Sequence, residues 1–175
     1  MTTVRHCEAA DIPAITAIYR HAVLNGRASF ELDPPDEAEM LKRREVLLAG
    51  GHPYIVAELD GEILGYAYAG AYRPRPAYRN SVENSVYVLE SAHGRGVGRL
   101  LLAALIEEAT ARGFRQMIAV IGDSANKPSI RLHEALGFTP VGVLRSVGWK
   151  HEQWLDTVLM QRALGSGDET PPQAG

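Results

Sequence analysis

The segment Glu83–Arg99, ENSVYVLESAHGRGVGR, gathers the residue types that chemistry needs. Glycines stand at 94, 96 and 98, with Arg95 and Val97 between them and Arg99 next. Glycine lets backbone N–H groups turn toward one point and lets a ligand approach the main chain. The helical pattern starting at Gly96 adds the free N–H groups and partial positive charge of a helix start. Such a corner suits a pyrophosphate, and Arg95 and Arg99 flank it as charge-assisted contacts. Upstream lies Glu83, inside the strand pattern VENSVYV. In a strand Val82, Asn84, Val86 and Val88 point one way and Glu83, Ser85 and Tyr87 the other. A carboxylate inside an apolar strand is paired or functional. Burial would raise its pKa toward that of a general base, and a nearby arginine would oppose the shift. Two readings stand: a base, or a buried partner for Arg73, Arg75 or Arg79.

Other chemistries fit less well. No G-x-x-x-x-G-K-[ST] string occurs, and G-R-G-V-G-R fails the third glycine of a dinucleotide fingerprint. That fingerprint also belongs after the first strand of its fold, whereas this turn follows the fourth. The six histidines show no metal spacing, and the single cysteine, Cys7, excludes an internal disulfide framework, so no metal is expected. A net charge of −3 disfavours non-specific nucleic-acid binding. No apolar run reaches the ~18 residues of a membrane span, and the N-terminus lacks a signal-peptide core. The expectation is a soluble, cytoplasmic protein without nucleic-acid or membrane partners.

The elements that must hold these groups are readable from period and punctuation. A short strand, TVRHC, precedes a helix with Asp11 as N-cap and Pro13 in its first turn. A loop with Phe30 amid polar residues follows; Phe30 is a core plug or a pocket wall. A second helix ends at Gly50-Gly51. Two apolar runs around Asp60-Gly61 form a hairpin. The irregular loop Tyr72–Asn80 carries three arginines and two tyrosines, either reading an acidic substrate group or lying solvated. The fourth strand, the helix closing at Gly113, a fifth strand, a short helix capped by Asn126, and two last strands complete the order. The class is α/β, with two consecutive right-handed crossovers in mid-sheet. Residues 165–175 read as a disordered tail by composition.

The turn resembles the [Q/R]-x-x-G-x-[G/A] motif of the GNAT superfamily of N-acetyltransferases, with His93 at the position where Gln or Arg is usual. NKPSIRLHEALGF resembles a second signature of that superfamily. AELDGEILGYAYAG, AYRNSVENSVYV and VGWKHEQWLD are similar to the branch containing phosphinothricin and methionine sulfoximine N-acetyltransferases. The resemblance covers about residues 3–162 and implies a GNAT domain over 1–164: a mixed, mostly antiparallel sheet of about seven strands with about four helices. It implies acetyl-CoA as acetyl donor, with Val86, Tyr87 and Val88 along the pantetheine arm. Gly94, Arg95, Gly96, Val97, Gly98 and Arg99 fall at the pyrophosphate, and Asn126 near the pantetheine or simply as a cap. It implies Glu83 as base, a Val88 N–H for the oxyanion, and His133 as general acid or structural residue. Phe30, Arg73, Arg75, Tyr78, Glu83, Asn84 and Ser85 fall at the substrate. The implied reaction is direct acetylation of the α-amine of a small amino-acid-like acid, in a ternary complex within a homodimer. Another primary amine (a different amino acid, a polyamine or a protein N-terminus) and a non-catalytic acetyl-CoA sensor are the alternatives.

Overall fold

Strand and helix periods in the sequence resolve into three layers. The computed structural model describes residues 1–172. Among them seven strands form one sheet: β1 (Thr3–His6), β2 (Tyr54–Leu59), β3 (Glu62–Ala71), β4 (Ser81–Val88), β5 (Gln116–Gly122), β6 (Thr139–Lys150) and β7 (Gln153–Ala163). The spatial order is β1-β2-β3-β4-β5-β7-β6. Four α-helices accompany it: α1 (Ile12–Asn25), α2 (Glu37–Ala49), α3 (Val97–Ala111) and α4 (Lys127–Ala135). One face of the sheet packs Val82, Met117, Ala119 and Met160 against Leu101, Leu102 and Leu105 of α3. The other packs Tyr54, Val56 and Tyr66 against Ile15, Ile18 and Tyr19 of α1 and Met40 of α2. β2 and β3 serve both cores with alternate residues, as period-two burial requires.

Local signals place most boundaries. Asp36 accepts from Glu39 N at 2.8 Å and caps α2, and Asn126 accepts from Ser129 N at 3.3 Å and caps α4. Asp60-Gly61 turns with φ of 51° and 85°, as a two-residue hairpin demands. Asp11 departs from its expected role. Its carboxylate takes both Nη1 and Nη2 of Arg5 at 2.8 Å and accepts from Glu8 N, and makes no cap on α1. A charged fork outcompetes a single neutral donor.

The second crossover also differs from a simple succession. β5 pairs with β7, and β6 lies outside at the edge. The burial pattern explains the exchange. Leu155, Val158 and Met160 of β7 are buried, whereas β6 is exposed along most of its length. The strand with the stronger apolar face takes the interior place. Residues 165–172, expected as disordered tail, turn back on β5. Arg115 donates to Gly167 O at 2.8 Å and Thr170 O at 2.7 Å, contacts that composition does not advertise. Residues 173–175 of that expectation lie outside the described residues.

The connection from α1 to α2 is fastened at many points. His151 Nε2 lies 3.0 Å from Gly26 O, and the buried Lys150 Nζ donates to Ser29 O at 2.7 Å. Glu31 accepts from the Tyr19 hydroxyl and from both Nη atoms of Arg43. Phe30 is held between two glycines. A Cβ at Gly122 would stand 2.7 Å from Phe30 Cε1, and one at Gly148 2.6 Å from Cδ2. The ring has no room to retreat from either side. Gly148→Ala is therefore expected to destabilise the fold by about 1–3 kcal/mol through overpacking, read from urea midpoints at unchanged m-value. With Phe30→Ala in the same chain the penalty should shrink markedly. Equal penalties in both backgrounds would detach Gly148 from the ring.

Candidate active site

The parallel pairing of β4 with β5 runs only from Ser81 to Glu83, opposite Gln116 to Ile118. Beyond Glu83 the two strands part, although β4 continues to Val88 and β5 to Gly122. The register gives the phase of the freed backbone. Leu89 N donates to Leu64 O at 2.8 Å, and β4 pairs antiparallel with β3 in register as far as Gly65↔Val88. Narrow pairs alternate along such a ladder, so Ser85, Tyr87 and Leu89 turn their backbone groups to β3. Val86 and Val88 therefore turn theirs into the gap. Buried N–H and C=O groups need partners, and this free edge offers an extended amide-bearing ligand the partners that a strand would supply.

The gap opens a cleft of about 1060 Å3. Val86, Tyr87, Val88, Gly94, Gly96, Val97, Gly98 and Arg99 line it, and so does Asn126. Gly94 and Gly96 hold φ of 74° and 81°, and nothing stands within 4 Å of a Cβ built on either. The cradle is thus open and left-handed, a conformation glycine adopts at no steric cost. Gly96 is the N-cap of α3 and supplies no side chain, which leaves the helix's first N–H groups to a ligand. Arg95 is exposed and outside the lining, so of the two expected arginines the cleft receives Arg99. His93 has a definite task. Its Nε2 lies 3.0 Å from Val88 O and must donate, because a carbonyl only accepts. It ties the end of β4 to the turn and takes that carbonyl out of the gap, leaving the Val88 N–H free.

Glu83 stands where pairing ends and lines the cleft. Its neighbour across the ladder is Gly70, which presents no side chain. Burial lifts the Glu83 carboxyl above its ordinary range, and the Arg73 cation pulls it partly back. Among the described ion pairs and hydrogen bonds, Glu83 has no arginine partner, so the buried-pair reading is not realised. Asn84, Ser85 and His133 also line the cleft. Asn84 is buried on the α4 side of the strand, 3.1 Å from His133 Nε2 through Oδ1. His133 Nδ1 lies 2.7 Å from Ser129 O, and burial pushes the imidazole pKa down. Asn126 caps α4, donates to Gly122 O at 3.3 Å, and faces the cleft.

Four expected substrate residues lie outside the lining: Phe30, Arg73, Arg75 and Tyr78. Phe30 is the plug between Gly122 and Gly148. Arg73 and Arg75 are exposed on the Tyr72–Asn80 loop, with Arg73 5.2 Å over the Tyr72 ring. The structure brings in instead one wall from the end of α1: Ile18, His21, Ala22, Asn25, then Gly26 and Ala28. Ile18 and Ala22 read as core positions of an amphipathic helix, and they carry no polar signal that separates wall from core. His21 Nε2 and Glu90 Oε2, 3.2 Å apart, join this wall to the β4 side. Among the described residues no group of His, Cys, Asp and Glu is arranged to hold a metal, and no helix is long and apolar enough to cross a membrane.

Known proteins share this arrangement. Residues 15–138 match the model of the acetyltransferase (GNAT) family. The chain is 55% identical over 171 residues to a phosphinothricin N-acetyltransferase of Alcaligenes faecalis, covering 98% of this chain and 87% of that protein. It is 41% identical to an L-methionine sulfoximine/L-methionine sulfone acetyltransferase of Pseudomonas paraeruginosa, covering 97% and 98%. The crystal structure of a GNAT superfamily phosphinothricin acetyltransferase from Sinorhizobium meliloti in complex with AcCoA superposes with a TM-score of 0.97. The two chains are 50% identical, and the match covers 99% of this chain and 94% of that one. The parted strands, the glycine cradle and these matches agree: the chain belongs to the GNAT family of acetyltransferases.

Proposed function

We propose that this acetyltransferase moves the acetyl group of acetyl-CoA to the α-amine of a small amino-acid-like acid of the phosphinothricin, methionine sulfoximine or methionine sulfone type. The observation that carries the reading is the position of Glu83. An unpaired carboxyl of raised pKa stands at the point where the backbone edge for an acyl carrier begins. Glu83 takes a proton from the substrate ammonium, directly or through a water, which frees the nitrogen lone pair. The Val88 N–H, left unpaired by the register, stabilises the oxyanion as nitrogen attacks the thioester carbon. The tetrahedral centre then expels the thiolate, so transfer is direct within a ternary complex. An acyl-enzyme through Cys7 is disfavoured. That thiol is buried in the α1 and α2 core, and burial pushes its pKa to about 11.

The acidic end of the substrate falls to the Tyr72–Asn80 loop. Arg73 is exposed, yet its charge is felt at Glu83, so this cation lies within electrostatic reach of the base. A homodimer is part of the proposal, with β6 as its interface: Val141, Val147 and Trp149 lie exposed on this edge, with Trp154 beside them on β7. The reaction belongs where acetyl-CoA is supplied, in the cytoplasm. The deciding experiment is thiol release from acetyl-CoA with phosphinothricin, methionine sulfoximine, ordinary amino acids and simple amines. Turnover confined to the acid-bearing analogues supports the reading. Equal turnover of simple amines favours the wider amine class, and none at all a non-catalytic sensor.

Glu83→Gln should lower kcat by roughly 100- to 10,000-fold with little change in acetyl-CoA affinity. Near-normal kcat at neutral pH would remove Glu83 from the chemistry. The base works ionised, so kcat/KM should rise with pH through a limb above the ordinary carboxylate range. Arg73→Ala, which removes the opposing cation, should move that limb to higher pH. The same change, and Arg75→Ala, should lower kcat/KM for an acidic substrate about 10- to 150-fold. The acetyl-CoA KM should stay unaltered, and a simple amine should be indifferent. Finally, Gly96→Val forces a β-branched residue toward φ of 81°, at about 1–2 kcal/mol. Its side chain also enters the cradle, so calorimetry should show weakened acetyl-CoA binding in a folded protein; unchanged affinity would sink the cradle's role.

A further inference from the structure

His133 and Asn84 present a proton-placement problem with one economical answer. The His133 ring is 4% exposed and meets Phe138 edge-on, with centroids 4.9 Å apart. Its Nδ1 lies 2.7 Å from the carbonyl oxygen of Ser129, one helical turn earlier. A carbonyl only accepts, so Nδ1 carries a proton. A second proton on Nε2 would make a buried imidazolium, and no carboxylate forms an ion pair with this ring among the described residues. Nε2 is therefore a lone pair. The group beside it is the Asn84 amide, 8% exposed. With Oδ1 turned to the ring at 3.1 Å, two acceptors oppose each other, and the buried Nδ2 is left without any partner. Rotating the amide by half a turn removes both faults: Nδ2–H donates to Nε2. Oδ1 then takes the vacated position beside the cleft. An under-satisfied carbonyl there costs less than an orphaned N–H.

We infer that Asn84 is a positioning residue that holds His133 as the neutral Nδ1–H tautomer and caps its Nε2, so that resting His133 has no proton to give a departing thiolate. The role of His133 in acetyl transfer is then to orient the Asn84 amide from α4, and the thiolate takes the proton that the attacking nitrogen sheds as the amide forms. The tautomer assignment concerns the protein before any ligand binds and stands independently of the substrate proposed above.

The test is nitrogen NMR of the full chain labelled with 15N-histidine at pH 7, with His133→Gln used to identify the His133 signals. The expected spectrum has a protonated Nδ1 and a lone-pair Nε2 for His133. Asn84→Asp places a carboxylate against Nε2 and should convert the ring to the doubly protonated form. Asn84→Leu should leave the tautomer but shift the Nε2 resonance further toward that of an uncapped lone pair. A wild-type ring protonated on Nε2, whether as the other tautomer or as imidazolium, would overturn the inference. So would an Asn84→Leu spectrum identical to wild type. The wild-type measurement decides the tautomer even if a variant fails to fold.

Discussion

A sheet that stops pairing in its middle must find other partners for the backbone groups it frees. Here the break falls after Glu83, between two strands that both continue. A protein would ordinarily close such a gap, because an unpaired buried amide costs about as much as a lost hydrogen bond. This one keeps it open by diverging crossover geometry, with α3 leaving at Gly96 and α4 entering at Asn126. The residues that line the cleft are arranged along that opening. The cradle lies at its far end and Glu83 at its vertex, with α1 as an added wall.

β4 is also a divider. Glu83, Ser85 and Tyr87 face the α1 and α2 core, where Tyr68 reaches Ser85 and Tyr87 stands edge-on to Tyr19. Val82, Asn84, Val86 and Val88 face α3 and α4. Glu83 and His133 therefore sit on opposite sides of one strand. They meet only at its open edge, where the backbone groups of Val86 and Val88 emerge. The proposed proton removal on one face and the proposed amide orientation on the other are kept apart by a single thickness of main chain.

What the sequence revealed, and what it hid, follows from the range of the interactions. The glycine turn, the Asn126 cap and the Asp60-Gly61 hairpin are local, and each was legible from a few adjacent residues. Glu83 was legible because its charge contradicts its strand. The end of α1 was not, since Ile18 and Ala22 keep the same period whether they face a core or a cleft. The Asp11–Arg5 fork, the insertion of β7 inside β6, and the hold of Arg115 on residues 167–170 depend on competition between distant partners. Phe30 was ambiguous for the same reason: Gly122 and Gly148, which close on its ring, lie about a hundred residues away in the chain. The arginine loop is conspicuous by local composition, but its side chains stand outside the cleft lining, and of its cations Arg73 is felt at Glu83.

The edge formed by β6 and β7 carries both tryptophans of the chain. Trp149 and Trp154 face each other across the ladder with ring centroids 5.1 Å apart, and each is more than half exposed. Tryptophan emission from this protein is therefore a local gauge of one hairpin, whose turn His151 ties to Gly26 of the cleft wall. Wet rings in the isolated chain emit to the red, and anything that covers the hairpin pulls their colour toward the blue. A tryptophan-based melting curve would follow the polarity of this edge together with the fold beneath it. Tyrosine light from Tyr54, Tyr66 and Tyr68, stacked between sheet and helices, would report the interior.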